Sequence, residues 1–309
     1  MFNKSVLVDL INRSSETAAD RRNFLRGMGL LSAGAVTAGL GGAAVAGPAA
    51  ASTGLPSEGS VLNFALNLEY LEAEFYSHAA YGWGLRDNLI TGMTNPGRVI
   101  GGHRVPFKSR AMRAYAEEIA NDEIAHVRFL RSALGRSKVP RPTIDLQNSF
   151  TAAAVAAGVI KQGESFDPFA SEQNFLLGAF LFEDVGVTAY KGAAPLIKTP
   201  AYLEAAAGIL AVEAYHSGIV RTLLSENGLS APTNLISDAR DQLDGTGADK
   251  DQGITADGDR PNLVPTDRDG IAFSRSPQEV LNIVYLTPGG GVDRGGFFPD
   301  GIKGGIRTT

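Results

Sequence analysis

The sequence predicts an all-α protein whose centre is a bundle of four long helices. Apolar residues recur at the spacing of an α-helix over four segments of about 25 residues each. The longest connection between them joins the second and third segments, as in bundles with one long crossover. A C-terminal extension rich in Gly and Asp follows the last segment. The four predicted helices cover residues 57–81, 107–134, 169–194 and 199–228.

Residues that start and stop helices mark the limits of these segments. Gly135 ends the second helix and Pro195 ends the third, because glycine and proline disfavour continuation of a helix. Thr199 and Pro200 begin the fourth helix as a cap residue and a proline in the first turn, and Gly228 ends it. The first helix is identified by its apolar stripe, which consists of Val61, Leu62, Ala65, Leu68, Leu71 and Phe75.

Composition divides the chain into three parts. We interpret residues 1–46 as a signal peptide, residues 57–228 as the bundle and residues 229–309 as an irregular extension. Within the extension, residues 237–270 have few apolar side chains and are expected to be extended or mobile. A short helix near residues 276–286 is expected to dock its apolar side on the bundle or to join two copies of the chain into a homo-oligomer.

The N-terminal segment has the features of an export signal. The basic Arg21-Arg22 pair precedes an apolar stretch rich in Gly and Ala, with cleavage sites at 44–46 or 49–51. The pair, followed by Phe24 and Leu25, resembles a twin-arginine signal. An uncleaved membrane anchor is the alternative, although so many small residues make a poor spanning helix. The resemblance implies an exported bacterial protein, periplasmic or extracellular, with the twin-arginine export machinery as a partner.

Overall composition excludes several classes of function. The 309 residues contain no Cys, which excludes a disulfide framework, a zinc finger and a thiol nucleophile. A formal net charge of −5 without a basic block argues against nucleic acid as the main partner. The Asp-Gly pairs of the extension lack the ligand order of a calcium loop.

Each predicted long helix carries one glutamate in the middle of its apolar face. An unpaired buried carboxylate costs several kcal/mol or is forced to be neutral, and these faces offer no buried Lys or Arg. Two divalent cations would balance four carboxylates, with histidines binding as neutral ligands. The candidate ligands are Glu69, Glu123, Glu183 and Glu213, together with His126 and His216, each three residues after a glutamate.

An internal repeat supports one common site. Glu69 and Tyr76 are spaced like Glu183 and Tyr190, seven residues apart on one helix face. The two Glu-x-x-His pairs likewise align with each other, each followed by an Arg and a Leu at the same spacing. The order of the helices is therefore Glu, Glu-x-x-His, Glu, Glu-x-x-His, which indicates a helix pair repeated with pseudo-twofold symmetry.

This constellation resembles the ferritin-like superfamily of di-iron and di-manganese carboxylate proteins. The resemblance implies a ferritin-like four-helix bundle with two Fe or two Mn ions. By motif, Glu69 and Glu183 would be single-Glu ligands, Glu123 and Glu213 would bridge or cap the metals, and His126 and His216 would each bind one metal. Tyr76 and Tyr190 lie where such proteins often keep hydrogen-bonding residues beside the ligands.

Further motifs narrow the resemblance and extend it over most of the chain. They are Leu62-Asn63-Phe64-Ala65-Leu66, Phe273-Ser274-Arg275-Ser276-Pro277, Val280-Leu281-x-Ile283-Val284-Tyr285 and Gly295-Gly296-Phe297-Phe298-Pro299. These motifs resemble the subfamily that includes plant and bacterial desiccation-related proteins.

The sequence does not fix the roles of several other polar residues in these helices. Glu72, three residues after a candidate ligand, is either an extra ligand or a solvated or structural residue. Glu74 lies off that face and is expected to be exposed. Asp122 and Asp184 each adjoin a candidate ligand and are expected to point elsewhere, so that at best they contact a ligand from outside. Arg131 and Arg221 occupy equivalent positions in the repeat and are expected to cap or pair outside the core.

Three functions fit these observations. The first is redox chemistry on small molecules such as peroxide or dioxygen, catalase-like or ferroxidase-like, which the complete ligand set favours. The second is a non-enzymatic desiccation or stress protein whose metal site is structural or vestigial, which the narrower resemblance favours. The third, iron storage, is disfavoured because an exported chain with a long extension differs from a compact storage subunit.

Overall fold

The computed structural model describes residues 55–245, 249–255 and 260–309, so the predicted signal peptide, residues 1–46, lies outside the described residues. The all-α class predicted from the sequence is confirmed. The elements in chain order are α1 (Glu58–Tyr81), α2 (Asp87–Ile90), β1 (Val99–Ile100), α3 (Arg110–Leu134), β2 (Ile144–Asp145), α4 (Asn148–Ala156), α5 (Glu172–Ala193), α6 (Pro200–Glu226), α7 (Ser230–Asp244) and α8 (Pro277–Val284).

The four long helices form the bundle as two closely packed pairs. Helix α1 packs mainly on α3, and α5 packs mainly on α6. The long connections on either side of α3 meet through β1 and β2, which pair in parallel with Val99 opposite Ile144. Most of the buried apolar residues form one large core, a smaller apolar cluster lies around Val61 and Tyr190, and the candidate ligands are buried in the bundle.

The internal repeat extends to the caps of the helices. Glu58, the first residue of α1, accepts hydrogen bonds from the backbone at Lys198 and Thr199, where α6 begins. Glu172, the first residue of α5, accepts equivalent bonds from the backbone amides that precede α3, at 2.7 and 2.6 Å. One carboxylate of each half therefore satisfies free N–H groups at a helix start in the other half.

The extension is more ordered than the sequence suggests. The expectation that residues 237–270 are extended or mobile is wrong for residues 237–244, because α7 continues to Asp244. This helix buries polar residues by pairing them, including Ser237 and Arg240, and a pattern of apolar residues does not reveal such a helix. The described residues from 245 to 270 form no helix. Near the C-terminus, the backbone of Lys303 exchanges hydrogen bonds with the side chain of Asn67, which fastens the chain end across α1.

Helix α8 begins with a capping box between Ser276 and Glu279. Its apolar residues Val280, Leu281, Ile283 and Val284 are buried against the bundle core. No helix in the described part of the chain is both long and apolar enough to cross a membrane.

Candidate metal centre

The four long helices bring the six predicted ligands into one buried region. Each helix contributes one glutamate that is at most 1% exposed, and the two histidines are also buried. A histidine three residues after a glutamate lies on the same helix face, so α3 and α6 each present an adjacent carboxylate and imidazole. The converging residues are Glu69 on α1, Glu123 and His126 on α3, Glu183 on α5, and Glu213 and His216 on α6.

Both imidazoles direct Nδ1 towards the carboxylates. His126 Nδ1 lies 3.2 Å from Glu69 Oε2, 3.4 Å from Glu123 Oε2 and 3.8 Å from Glu213 Oε1. His216 Nδ1 lies 3.1 Å from Glu123 Oε1. Glu123 therefore lies between the two histidines. Ligand atoms of Glu69, Glu123, His126 and Glu213 all lie within 4.8 Å of one another.

Several buried atoms of this cluster lack hydrogen bonds. Both carboxylate oxygens of Glu123 and of Glu213, Oε2 of Glu183 and Nδ1 of His216 find no hydrogen-bond partner among the residues that the structure describes. Leaving a buried polar atom unsatisfied costs about 1–3 kcal/mol. A metal ion satisfies such atoms, and carboxylates with imidazole suit Mn and Fe. The buried carboxylate and histidine group can therefore hold metal ions.

Two tyrosines orient the glutamates from opposite sides. The hydroxyl of Tyr76 on α1 donates to Glu183 on α5, and the hydroxyl of Tyr190 on α5 donates to Glu69 on α1. Burial, together with the charge of the glutamate that each one contacts, raises the pKa of both tyrosines well above the ordinary value. Both therefore stay protonated as donors, beside the cluster where the sequence places them.

Asp122 and Glu72 also contact the cluster. Asp122 Oδ2 lies 3.1 Å from His216 Nε2, which leaves the other ring nitrogen of this histidine facing the glutamates. Glu72 is only 5% exposed, so the solvated reading of this residue is wrong. Its carboxylate lies beside Gly186 in the wall of the cluster. Burial and then the charges of neighbouring glutamates raise the pKa of Glu72 well above its ordinary value.

Protons balance the charge of the cluster when no metal is bound. Burial raises the pKa of Glu69 to about 7 and that of Glu183 to about 8. Burial also opposes charge on the imidazoles, but nearby carboxylates outweigh it and raise the pKa of His126 to about 11 and that of His216 to about 9. Burial favours neutral Glu123 as well, yet the two imidazoles lower its pKa. Metal binding must therefore displace protons.

Two expectations about the surrounding charges are wrong. Glu74, expected to be exposed, is completely buried because it pairs with Arg141 and accepts a hydrogen bond from the backbone of Leu85. Arg131 and Arg221, expected to pair outside the core, are both buried within it. Sequence reasoning missed these contacts because their partners are distant in the chain, on another bundle helix, in a connection or in the extension. The symmetric position of the two arginines was a usable signal.

The chain is similar to known proteins over most of its length. The family model described as ferritin-like domain matches residues 57–226. The desiccation-related protein PCC13-62 of Craterostigma plantagineum is 34% identical over 246 residues, which cover 73% of this chain and 76% of that protein. The ferritin-like catalase Nec2 of Nesocodon mauritianus is 29% identical over 264 residues, which cover 80% of this chain and 83% of that protein. No solved structure gives a significant match.

The family match spans the same four helices that carry the buried glutamates and histidines. The fold, the composition of the cluster and the similarity to the two relatives agree with this match. The chain belongs to the ferritin-like domain family.

Proposed function

We propose that this chain is an exported stress-protection protein whose buried cluster binds two Fe or two Mn ions for redox chemistry with peroxide or dioxygen. The observation that carries the proposal is the convergence of four glutamates and two histidines in the core, where six of their polar atoms have no hydrogen-bond partner among the described residues. Such a cluster would be costly to keep without a bound cation.

The arrangement of the side chains supports two metal positions. Glu123 lies between the two histidines, and Glu213 approaches the same group. Two divalent ions would balance four carboxylates, with both imidazoles neutral. One position would use Glu69 and His126, the other would use Glu183 and His216, and Glu123 and Glu213 would serve both.

When bound, two adjacent redox ions supply electrons in pairs, which the reduction or disproportionation of peroxide requires. The chain contributes positioned ligands and exclusion of water. A small cavity beside the cluster is lined by Glu72, Gly186, Tyr190 and apolar side chains that include Ile283 and Phe297. It has room for roughly one molecule of the size of water. This size supports a small-molecule substrate.

The relatives support different aspects of the proposal. Nec2 is named a ferritin-like catalase, which favours peroxide as the substrate. PCC13-62 is named a desiccation-related protein, which favours the second candidate, a non-enzymatic stress protein whose metals neutralise the core and stabilise the bundle.

Metal analysis followed by a peroxide assay separates these candidates. The folded protein should contain about two Mn or Fe ions per chain and release oxygen from peroxide, whereas Glu123→Ala and His126→Ala should lose both properties. Glu118→Ala, which removes an exposed carboxylate of the same helix, is the control. Two bound metals without turnover would favour the structural role. A protein that binds no metal and is equally stable would contradict the metal centre.

Export is tested separately. Replacing Arg21 and Arg22 by Lys should retain the protein in the cytoplasm of a bacterium that has the twin-arginine machinery. The mature N-terminus, read by mass spectrometry, should lie after residue 46 or residue 51. Export of the double-lysine variant at the normal level would contradict this part of the proposal.

A further inference from the structure

The two halves of the repeat differ in the residue that follows the single glutamate. Tyr70 follows Glu69 on α1, whereas Asp184 occupies the equivalent position on α5. In the first half, Arg131 donates to the neutral hydroxyl of Tyr70. In the second half, the equivalent Arg221 donates to Asp184 Oδ2 at 2.7 Å. The arginine therefore contacts a neutral group in the first half and forms an ion pair in the second half.

Asp184 also joins the two helices that carry Glu183 and His216. Ser217 Oγ donates to Asp184 Oδ1 at 2.6 Å, within the buried core. Since Asp184 adjoins Glu183 and Ser217 adjoins His216 in the chain, this bond ties together the backbones next to two candidate ligands. The first half has Tyr70 and Val127 at these positions, and valine offers no hydroxyl to make an equivalent bond.

The C-terminal extension holds Asp184 in place. Arg240 on α7 donates to Asp184 Oδ2 at 2.9 Å and also pairs with Asp251. Arg275 pairs with Asp251 and, at 2.7 Å, with Asp244. Three arginines thus meet three aspartates in a buried, charge-balanced network, and two of the arginines come from the extension. Removal of one partner from a buried ion pair is strongly destabilising, so the network fixes its members.

We infer that Asp184 is a positioning residue through which the C-terminal extension holds Glu183 and His216 for one of the two metal ions. The inference rests on the proposed two-metal function. It makes the two metal positions unequal, because Tyr70, which adjoins Glu69 in the other half, bonds to Val139 and Arg131 and, among the described residues, to no residue of the extension. Partners just outside the ligands change metal affinity by about 10- to 100-fold.

Titration of Mn²⁺ into the metal-free full chain tests this inference. Calorimetry gives the number of ions and the affinity of each step, and electron paramagnetic resonance distinguishes a coupled Mn pair from an isolated ion. Asp184→Asn should bind one ion with wild-type affinity and the second about 10- to 100-fold more weakly. Its spectrum should change from a coupled pair to an isolated ion at intermediate Mn²⁺ concentrations.

Two matched variants separate positioning from general damage. Tyr70→Phe changes the equivalent position of the other half and should still bind a coupled pair. Asp244→Asn removes a buried carboxylate of the same network that contacts Arg275 but not Asp184, so it should lower stability and leave both affinities intact. If Asp184→Asn does not fold, Ser217→Ala removes only the bond between the two helices and should weaken the same single step.

The possible failures are distinguishable. Wild-type protein that binds two ions, with Asp184→Asn or Ser217→Ala also binding two at unchanged affinity, would overturn this inference alone. Equal weakening of both steps in Asp184→Asn and in Asp244→Asn would also overturn it, because that result reports loss of stability. Wild-type protein that binds no Mn²⁺ or Fe²⁺ would overturn the proposed function and this inference with it.

Discussion

Replacement of Gly186 by Ala should weaken metal binding without weakening the fold. A Cβ added at Gly186 would lie 2.3 Å from Glu213 Oε2, whereas ordinary contacts begin at 3.4 Å, so the carboxylate oxygen must move by about 1 Å. Metal–ligand distances are set to within about 0.2 Å, and the displaced oxygen would no longer be a good ligand. We expect Mn²⁺ affinity to fall at least tenfold, as when an outer partner is lost.

The free energy of unfolding of the metal-free protein should rise or stay the same. Alanine is more favourable than glycine inside a helix by about 1 kcal/mol, which offsets the cost of moving a flexible side chain. Gly218→Ala on α6 is the matched control, since its Cβ would meet nothing within 4 Å. Calorimetry with Mn²⁺ and thermal unfolding with a chelator measure the two effects. Wild-type Mn²⁺ affinity in Gly186→Ala would refute the assignment of Glu213 as a ligand.

Three further predictions follow from the contacts around the cluster. Tyr76→Phe removes the hydrogen bond to Glu183 and should weaken Mn²⁺ binding by roughly tenfold; unchanged affinity in calorimetry would contradict the orienting role. Metal affinity should rise with pH through 8 and beyond 9, because protons must leave Glu183, with a pKa of about 8, His216, with a pKa of about 9, and His126, with a pKa of about 11. Calorimetry in buffers of different ionisation enthalpy measures this release, and binding without proton release would refute it. Glu74→Ala leaves Arg141 without its carboxylate and should lower the free energy of unfolding by about 3–5 kcal/mol; a loss under about 1 kcal/mol in urea denaturation would show that the pair is solvated.

The sequence alone could predict the bundle and the residues of its cluster. The long helices carry apolar stripes with one polar residue at the centre of each, and helical spacing places such residues on a common buried face. Glu69 and Tyr76 have the same spacing as Glu183 and Tyr190, which shows that the two halves of the bundle repeat one pattern. The structure brings these residues together and adds the direction of the contacts, since each tyrosine donates to the glutamate of the opposite half.

The polar surroundings of the cluster could not be predicted in the same way. Burial of Asp184 depends on Arg240, 56 residues away in the chain, and burial of Glu74 depends on Arg141, 67 residues away. No local pattern shows which distant charge will pair with a carboxylate. Helical periodicity therefore predicts an exposed Glu74 and gives Asp184 no partner. Helix α7 was not predicted for the same reason. Most of its buried residues are polar and are satisfied by partners elsewhere in the chain.

The metal content of the purified protein tests the central claim most directly. Elemental analysis of the wild-type chain should find about two Mn or Fe ions per chain, and Glu123→Ala, which removes the carboxylate between the two histidines, should bind far less. Loss of the metals should also lower the unfolding temperature of the wild-type protein. A wild-type chain that binds neither ion, and whose unfolding temperature is the same with and without a chelator, would contradict the account.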